Sequence, residues 1–173
     1  MPHILKNFIR DVPNFPAEGI IFKDITPLLQ DAEGLSRTIS LMAEPWRKTK
    51  VDVVCAIEAR GFIFGCALAC ELGAGFVPIR KPGKLPYKTA SKTYSLEYGT
   101  DTIEIHTDAV RRGTKVLMVD DLLATGGTMA AACGLVEELG GEILGVSFVI
   151  ELEFLKGREK LTDYDVRSLV VYH

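Results

Sequence analysis

The residues best suited to chemistry stand in one run, VLMVDDLLATGGTMAAACGLVEEL, from Val116 to Leu139. Apolar Val116 to Val119 leads into adjacent carboxylates, Asp120 and Asp121, and then through Leu122 and Leu123 to Ala124, Thr125, Gly126, Gly127 and Thr128. Glycines let a backbone approach an anion closely, and free N–H groups at a helix start can donate to a phosphate with the helix dipole behind them. The threonine hydroxyls add donors without adding charge, so residues 124–128 fit a monophosphate. Two carboxylates beside a phosphate would repel it unless hydroxyl groups lay between them. A ribose 5-phosphate satisfies both halves of the run, which favours it over an acidic turn that merely precedes an N-capped helix. Neither G-x-x-x-x-G-K-[ST] nor G-x-G-x-x-G occurs, so a triphosphate or dinucleotide loop has no local support.

Such a run works only if a sheet presents it. The sequence predicts strands at Val53 to Ile57, Gly75 to Ile79, Lys115 to Val119 and Ile143 to Ile150, with helices at Gly61 to Leu72 and Gly127 to Leu139 between them. Continuous apolar strands alternating with helices indicate a parallel sheet covered on both faces, an α/β fold. In such sheets ligands bind beyond the carboxyl ends of the strands, where the aspartates are expected to terminate theirs. A helix over Gly34 to Lys48 precedes the sheet, and a strand near Val166 to Val171 closes an edge. Two segments break the alternation. Phe15 to Pro27 gathers Ile20, Ile21 and Phe22 among Pro and Gly and suggests an apolar cap; Arg80 to Thr100 is a long polar connection, a length usually functional or mobile.

The 173 residues suit one domain, and 47% hydrophobic with 25% charged residues are the proportions of a globular protein. No apolar run is long enough for a bilayer, and the N-terminal segment lacks a secretory pattern, so the expectation is cytoplasmic with no membrane partner. A net charge of −3 argues against nucleic acid as the principal partner. Cys55, Cys66, Cys70 and Cys133 lack zinc spacing; Cys66 and Cys70, four apart on one helix, are expected to be buried small apolar residues. His3, His106 and His173 have no evident partner in the sequence.

The acid pair with its T-G-G-T loop, together with FPAEGIIFKDITPLL, EARGFIFG, RKPGKLPYKT, YSLEYGT and LKGREKL, resembles the type I phosphoribosyltransferases, and in content and order their adenine-specific family. The likeness spans nearly the whole chain. It implies a type I phosphoribosyltransferase fold in a single domain over residues 1–173: a mostly parallel central sheet flanked by helices, with a small N-terminal hood over about residues 1–33 and a flexible loop over about 80–100. It implies transfer of the phosphoribosyl group from 5-phosphoribosyl-1-pyrophosphate (PRPP) to adenine, giving AMP and pyrophosphate. Mg²⁺ would enter with PRPP, bound through its oxygens and water rather than by protein ligands, and the enzyme would be a homodimer. Close alternatives are transfer to another purine base, or a regulator that keeps the fold to sense PRPP.

The resemblance also distributes roles. Asp120 and Asp121 would orient the ribose, and Ala124 to Thr128 would hold the 5-phosphate. Glu58, Ala59 and Arg60 would meet the pyrophosphate, although the residues alone fit equally a helix start whose arginine pairs with a surface acid. Lys81 and Lys84 are further pyrophosphate partners, against merely solvated lysines. Glu97, beside Tyr98 in the loop, is the acid/base candidate near the purine ring, because the attacking base must rearrange a proton. Glu104, alternating with Ile103 and Ile105, reads as the polar face of a strand. Ile21 and Lys23 would offer backbone groups to adenine between Phe22 and Leu152, with core packing the alternative for those two. Lys23 departs from the arginine commoner there; a backbone role survives the exchange.

Overall fold

Each apolar run read as a strand enters one parallel sheet. The computed structural model describes residues 2–96 and 99–173. After a 3₁₀ segment, Pro2–Phe8, strands β1 (Arg10–Pro13) and β2 (Ile21–Asp24) pair antiparallel as a separate ribbon. Helices α1 (Thr26–Gln30) and α2 (Ala32–Ala43) follow. Helix α2 is shorter than predicted because Pro45 lacks the N–H needed to continue it, and Glu44–Trp46 turns as 3₁₀ instead. Its true start lies at Asp31, whose carboxylate accepts the Gly34 N–H at 2.6 Å.

The central unit comprises β3 (Val53–Ile57), α3 (Gly61–Leu72), β4 (Gly75–Ile79), the hairpin β5 (Thr89–Ser95) and β6 (Thr100–His106), β7 (Lys115–Leu123), α4 (Gly127–Glu138), β8 (Glu142–Leu152) and β9 (Val166–Tyr172). The five-stranded sheet runs β4-β3-β7-β8-β9, parallel throughout. Successive side chains of a strand face opposite ways. Val54, Ala56, Leu117 and Val119 accordingly enter a core with α2 and α3, while Cys55, Ile57, Val116 and Met118 enter one with α4 and β6.

Three expectations are corrected. First, β7 does not end before the aspartates: it runs through Asp120 and Asp121 to Leu123, with Asp120 paired to Phe148 and Leu122 to Ile150 of β8. Parallel pairing overrides the poor strand propensity of aspartate. Second, the connection over residues 80–100 contains β5. Ile103 and Ile105 of β6 are 1% and 0% exposed, and burying two such side chains contributes about 3–6 kcal/mol. That exceeds what exposed ion pairs supply, so β6 anchors the hairpin and β5 follows by pairing. Third, Cys66 and Cys70 are exposed, since no element among the described residues covers the face of α3 carrying Ile63, Cys66 and Cys70, whereas Cys55 and Cys133 are buried.

Candidate active site

The carboxyl ends of β3 and β7 open onto one cleft of about 430 Å³. Its walls are the Ile57 to Arg60 turn, Lys81, Tyr94, Leu96, Asp101, the Asp120 to Leu122 stretch and Thr128. A second cavity of about 90 Å³ adjoins it, bounded by Asp120, Leu122 to Gly126, Thr128, Met129 and Phe148.

The small cavity is the phosphate-sized one. Gly126 begins α4 with φ +76°, and no side chain caps the helix start. The first N–H groups of a helix have no partner within it, so they remain available to an anion. A backbone support lies directly beneath. A Cβ on Gly126 would sit 2.3 Å from the Gly157 carbonyl oxygen, and one on Gly157 would sit 2.3 Å from that of Ala124. The LKGREKL turn therefore carries the loop, and Arg158 fixes the turn. Its Nε and Nη2 donate to the Glu151 carboxylate at 2.6 and 2.8 Å, and its Nη1 to the Val166 carbonyl at 2.8 Å. Burial raises the Glu151 pKa, but Arg158 outweighs it and holds the carboxyl below its ordinary range.

Asp120 and Asp121 act as a unit. Asp121 N–H donates to Asp120 Oδ1 at 2.9 Å, and a Cβ on Gly61 would meet that same oxygen at 2.6 Å, so only glycine lets α3 start there. Burial and then the Asp121 charge push the Asp120 carboxyl well above the carboxylate range; burial pushes Asp121 up too, moderated by Arg60. A carboxyl whose pKa is raised by folding costs no stability below its unfolded pKa, and costs progressively more as pH rises from that value to the folded one. Asp120→Asn keeps an acceptor for the Asp121 N–H and removes one charge. It is expected to raise the Tm at pH 7 and to leave it unchanged near about pH 3, where ordinary carboxyls are protonated. Thermal unfolding at both values checks this, and a lowered Tm at pH 7 contradicts it.

Of the predicted pyrophosphate residues Glu58, Ala59, Arg60 and Lys81 line the cleft, and the two cations among them are already engaged with carboxylates. Arg60 Nε lies 2.8 Å from Asp121 Oδ2, so the acid it meets belongs to the acid pair itself, and its guanidinium carbon is 5.1 Å from the Phe22 ring centroid. The Glu58–Ala59 peptide is cis, and the Glu58 carboxylate accepts the Lys81 N–H at 2.6 Å. Burial raises the Glu58 pKa, but the Lys81 N–H and Arg80 outweigh it and hold the carboxyl below its usual range. The Lys81 ammonium pairs with Asp101. Lys84 is exposed, with its carbonyl 3.4 Å from Arg80 Nη1.

The predicted base residues are more dispersed. Ile21 is exposed, Phe22 packs edge-on against Phe15 at 5.2 Å, and Leu152 is partly buried against the core beside Tyr172. The Lys23 ammonium turns to Asp11 at 2.7 Å and over the Tyr172 ring at 4.0 Å, which leaves only its backbone for a ligand. Glu97 and Tyr98 lie outside the described residues. Glu104 stands on β6 as its alternation indicated, bridged to Arg80, and its carboxylate is 3.3 Å from the Gly83 N–H. His106 Nε2 lies 3.3 Å from the Tyr87 N–H and His173 Nδ1 2.5 Å from Glu153, partners the sequence did not reveal.

Two polar cleft residues, Tyr94 and Asp101, escaped the sequence reading. Tyr94 faces Asp101 across the hairpin; its hydroxyl donates to Asp101 Oδ2 at 3.3 Å and accepts from the Thr128 hydroxyl at 3.1 Å. The alternating runs TASKTYS and TDTIEIH about a Gly-containing turn are a hairpin signal that would have paired them.

A parallel sheet with an acid pair and phosphate loop at its carboxyl edge defines a phosphoribosyltransferase, and the family model described as "Phosphoribosyl transferase domain" matches residues 22–171. Adenine phosphoribosyltransferase of Geobacter metallireducens is 59% identical over 168 residues, covering 97% of this chain and 98% of that protein. The crystal structure of adenine phosphoribosyltransferase from Thermoanaerobacter pseudethanolicus, 53% identical, superposes with a TM-score of 0.96 over 99% of this chain and 100% of that one. The Saccharomyces cerevisiae adenine phosphoribosyltransferase, crystallised with an imino-altritol bisphosphate and adenine, is 44% identical with a TM-score of 0.90, covering 97% of both chains. The chain belongs to the adenine phosphoribosyltransferase family.

Proposed function

We propose that this protein transfers the 5-phosphoribosyl group from PRPP to adenine, releasing AMP and pyrophosphate for purine salvage. One observation carries the reading: a single cleft unites Glu58 to Arg60, Asp120 with Asp121, and Thr128 of the phosphate loop. Ribose hydroxyls donate to the acid pair while the loop amides hold the 5-phosphate, which fixes the anomeric carbon between base and leaving group. Arg60 and Lys81 receive the departing pyrophosphate. Positioning of this kind can supply much of the rate enhancement.

Adenine as the base is supported by the curated relatives and by the yeast enzyme crystallised with adenine. Phe22 bears on the cleft through Arg60, and the hood backbone at Ile21 and Lys23 offers the base edge its hydrogen bonds. Mg²⁺ would be carried by the substrate, since the cleft carboxylates Asp121 and Asp101 are engaged with Arg60 and Lys81. Mg²⁺ held by PRPP oxygens and water would neutralise the leaving pyrophosphate. Lys81, Tyr94 and Leu96 wall the cleft from the residue 80–100 side and would shield the reacting sugar from water.

A homodimer, which the family resemblance implies, is checked by light scattering at twice the chain mass. Four free cysteines suit the reducing cytoplasm, and no described helix is long and apolar enough to cross a membrane. The deciding assay offers PRPP and Mg²⁺ with adenine, hypoxanthine or guanine. AMP from adenine, with far slower use of the oxopurines, is expected. Preference for an oxopurine would reassign the base, and PRPP binding without turnover would make the protein a sensor.

A further inference from the structure

Both cations of the cleft are neutralised from within it. Arg60 rests on Asp121 and Lys81 on Asp101. Asp121 has ribose hydroxyls to receive in the proposed reaction; Asp101 has no such assignment. Its carboxylate nevertheless lines the cleft opposite the Glu58 to Arg60 turn, at the start of β6, held by the Thr102 N–H at 2.8 Å and the Tyr94 hydroxyl at 3.3 Å. A fixed carboxylate thus occupies Lys81 and faces the space into which an anionic leaving group must fit.

We propose that Asp101 is an internal counter-anion that pyrophosphate must displace from Lys81, so that it sets how tightly the enzyme holds PRPP and its pyrophosphate product. The inference rests on the phosphoribosyl-transfer reading. Binding costs twice: the Lys81 contact is exchanged, and the carboxylate then repels the newcomer. With side chains 43% and 28% exposed, water screens both effects, and pairs of this kind shift equilibria by about two- to fivefold. Asp101 lies on the hairpin and Lys81 on the segment before it, so the exchange also frees Lys81 from β6 as pyrophosphate enters. The advantage falls on release, because product departure limits turnover in many enzymes and a weaker hold on pyrophosphate shortens that step.

Asp101→Asn tests this cleanly, since asparagine keeps an acceptor for Thr102 and Tyr94 and loses only the charge. The KM for PRPP and the calorimetric Kd for pyrophosphate with Mg²⁺ should both fall by about two- to fivefold, with the KM for adenine unchanged. Asp101→Ser, neutral and still an acceptor, should do the same if the asparagine variant folds poorly. A merely structural role would raise both constants or disturb adenine equally. Unchanged or weaker pyrophosphate binding in an enzyme that makes AMP overturns the inference. Absence of AMP formation by the wild type overturns the transfer reading instead, a failure that the parallel assay identifies separately.

Discussion

Gly126→Ala is expected to lower kcat/KM for PRPP by about 10²-fold or more, the effect of displacing a positioned phosphate site by roughly an ångström. Two causes act together. Alanine at φ +76° costs about 1–3 kcal/mol of backbone strain. Its methyl carbon would also stand 2.3 Å from the Gly157 carbonyl oxygen, an atom that cannot retreat because the next residue, Arg158, is anchored to buried Glu151. The loop must therefore lift off the LKGREKL turn and carry its amides away from the 5-phosphate. Steady-state kinetics beside a circular dichroism spectrum separates this from unfolding: native ellipticity with a greatly raised KM for PRPP is the expected pair. Activity within about twofold of wild type would mean that the loop amides do not hold the substrate, since two lost hydrogen bonds alone exceed that factor.

The second large effect is expected at Glu97. Replacing an acid/base group generally lowers turnover by about 10²–10⁴-fold. Glu97→Gln preserves shape but replaces the titratable carboxyl by an amide that can neither take nor return the proton, so kcat should fall in that range while PRPP binding changes little. The residue lies between Leu96 and Gly99, which are joined by a 2.9 Å backbone hydrogen bond, and Leu96 and Asp101 both line the cleft. Turnover at the wild-type rate would remove Glu97 from the chemistry.

Much of this arrangement was legible in the sequence because local physics enforces it. VVCAI and GFVPI are apolar runs bounded by polar or glycine residues, and Gly61 to Leu72 ends on the left-handed Gly73, so β3, β4 and α3 follow the predicted limits. The turn into α4 was readable for the same reason, since Gly126 takes a left-handed φ of +76° that favours glycine. What escaped depends on partners distant in the chain. Strand β5 exposes polar Ser91, Thr93 and Ser95 on its outer face and is held by β6, whose anchoring Ile103 and Ile105 pair with Lys92 and Ala90 across the hairpin. Nothing local to Lys81 announces Asp101, and nothing in EARG announces that Arg60 reaches the acid pair. Exposure of Cys66 and Cys70 turns on which face of α3 is left uncovered, a property of the assembled layers.

The central claim is that backbone amides around Gly126 and Gly127 grip a sugar phosphate whose hydroxyls rest on Asp120 and Asp121. A crystal structure of the protein with AMP tests it most directly. The phosphate is predicted within hydrogen-bond distance of the residue 125–128 amides, with the ribose hydroxyls on the acid pair. Nucleotide bound elsewhere, with that loop unoccupied at saturating AMP, would contradict it.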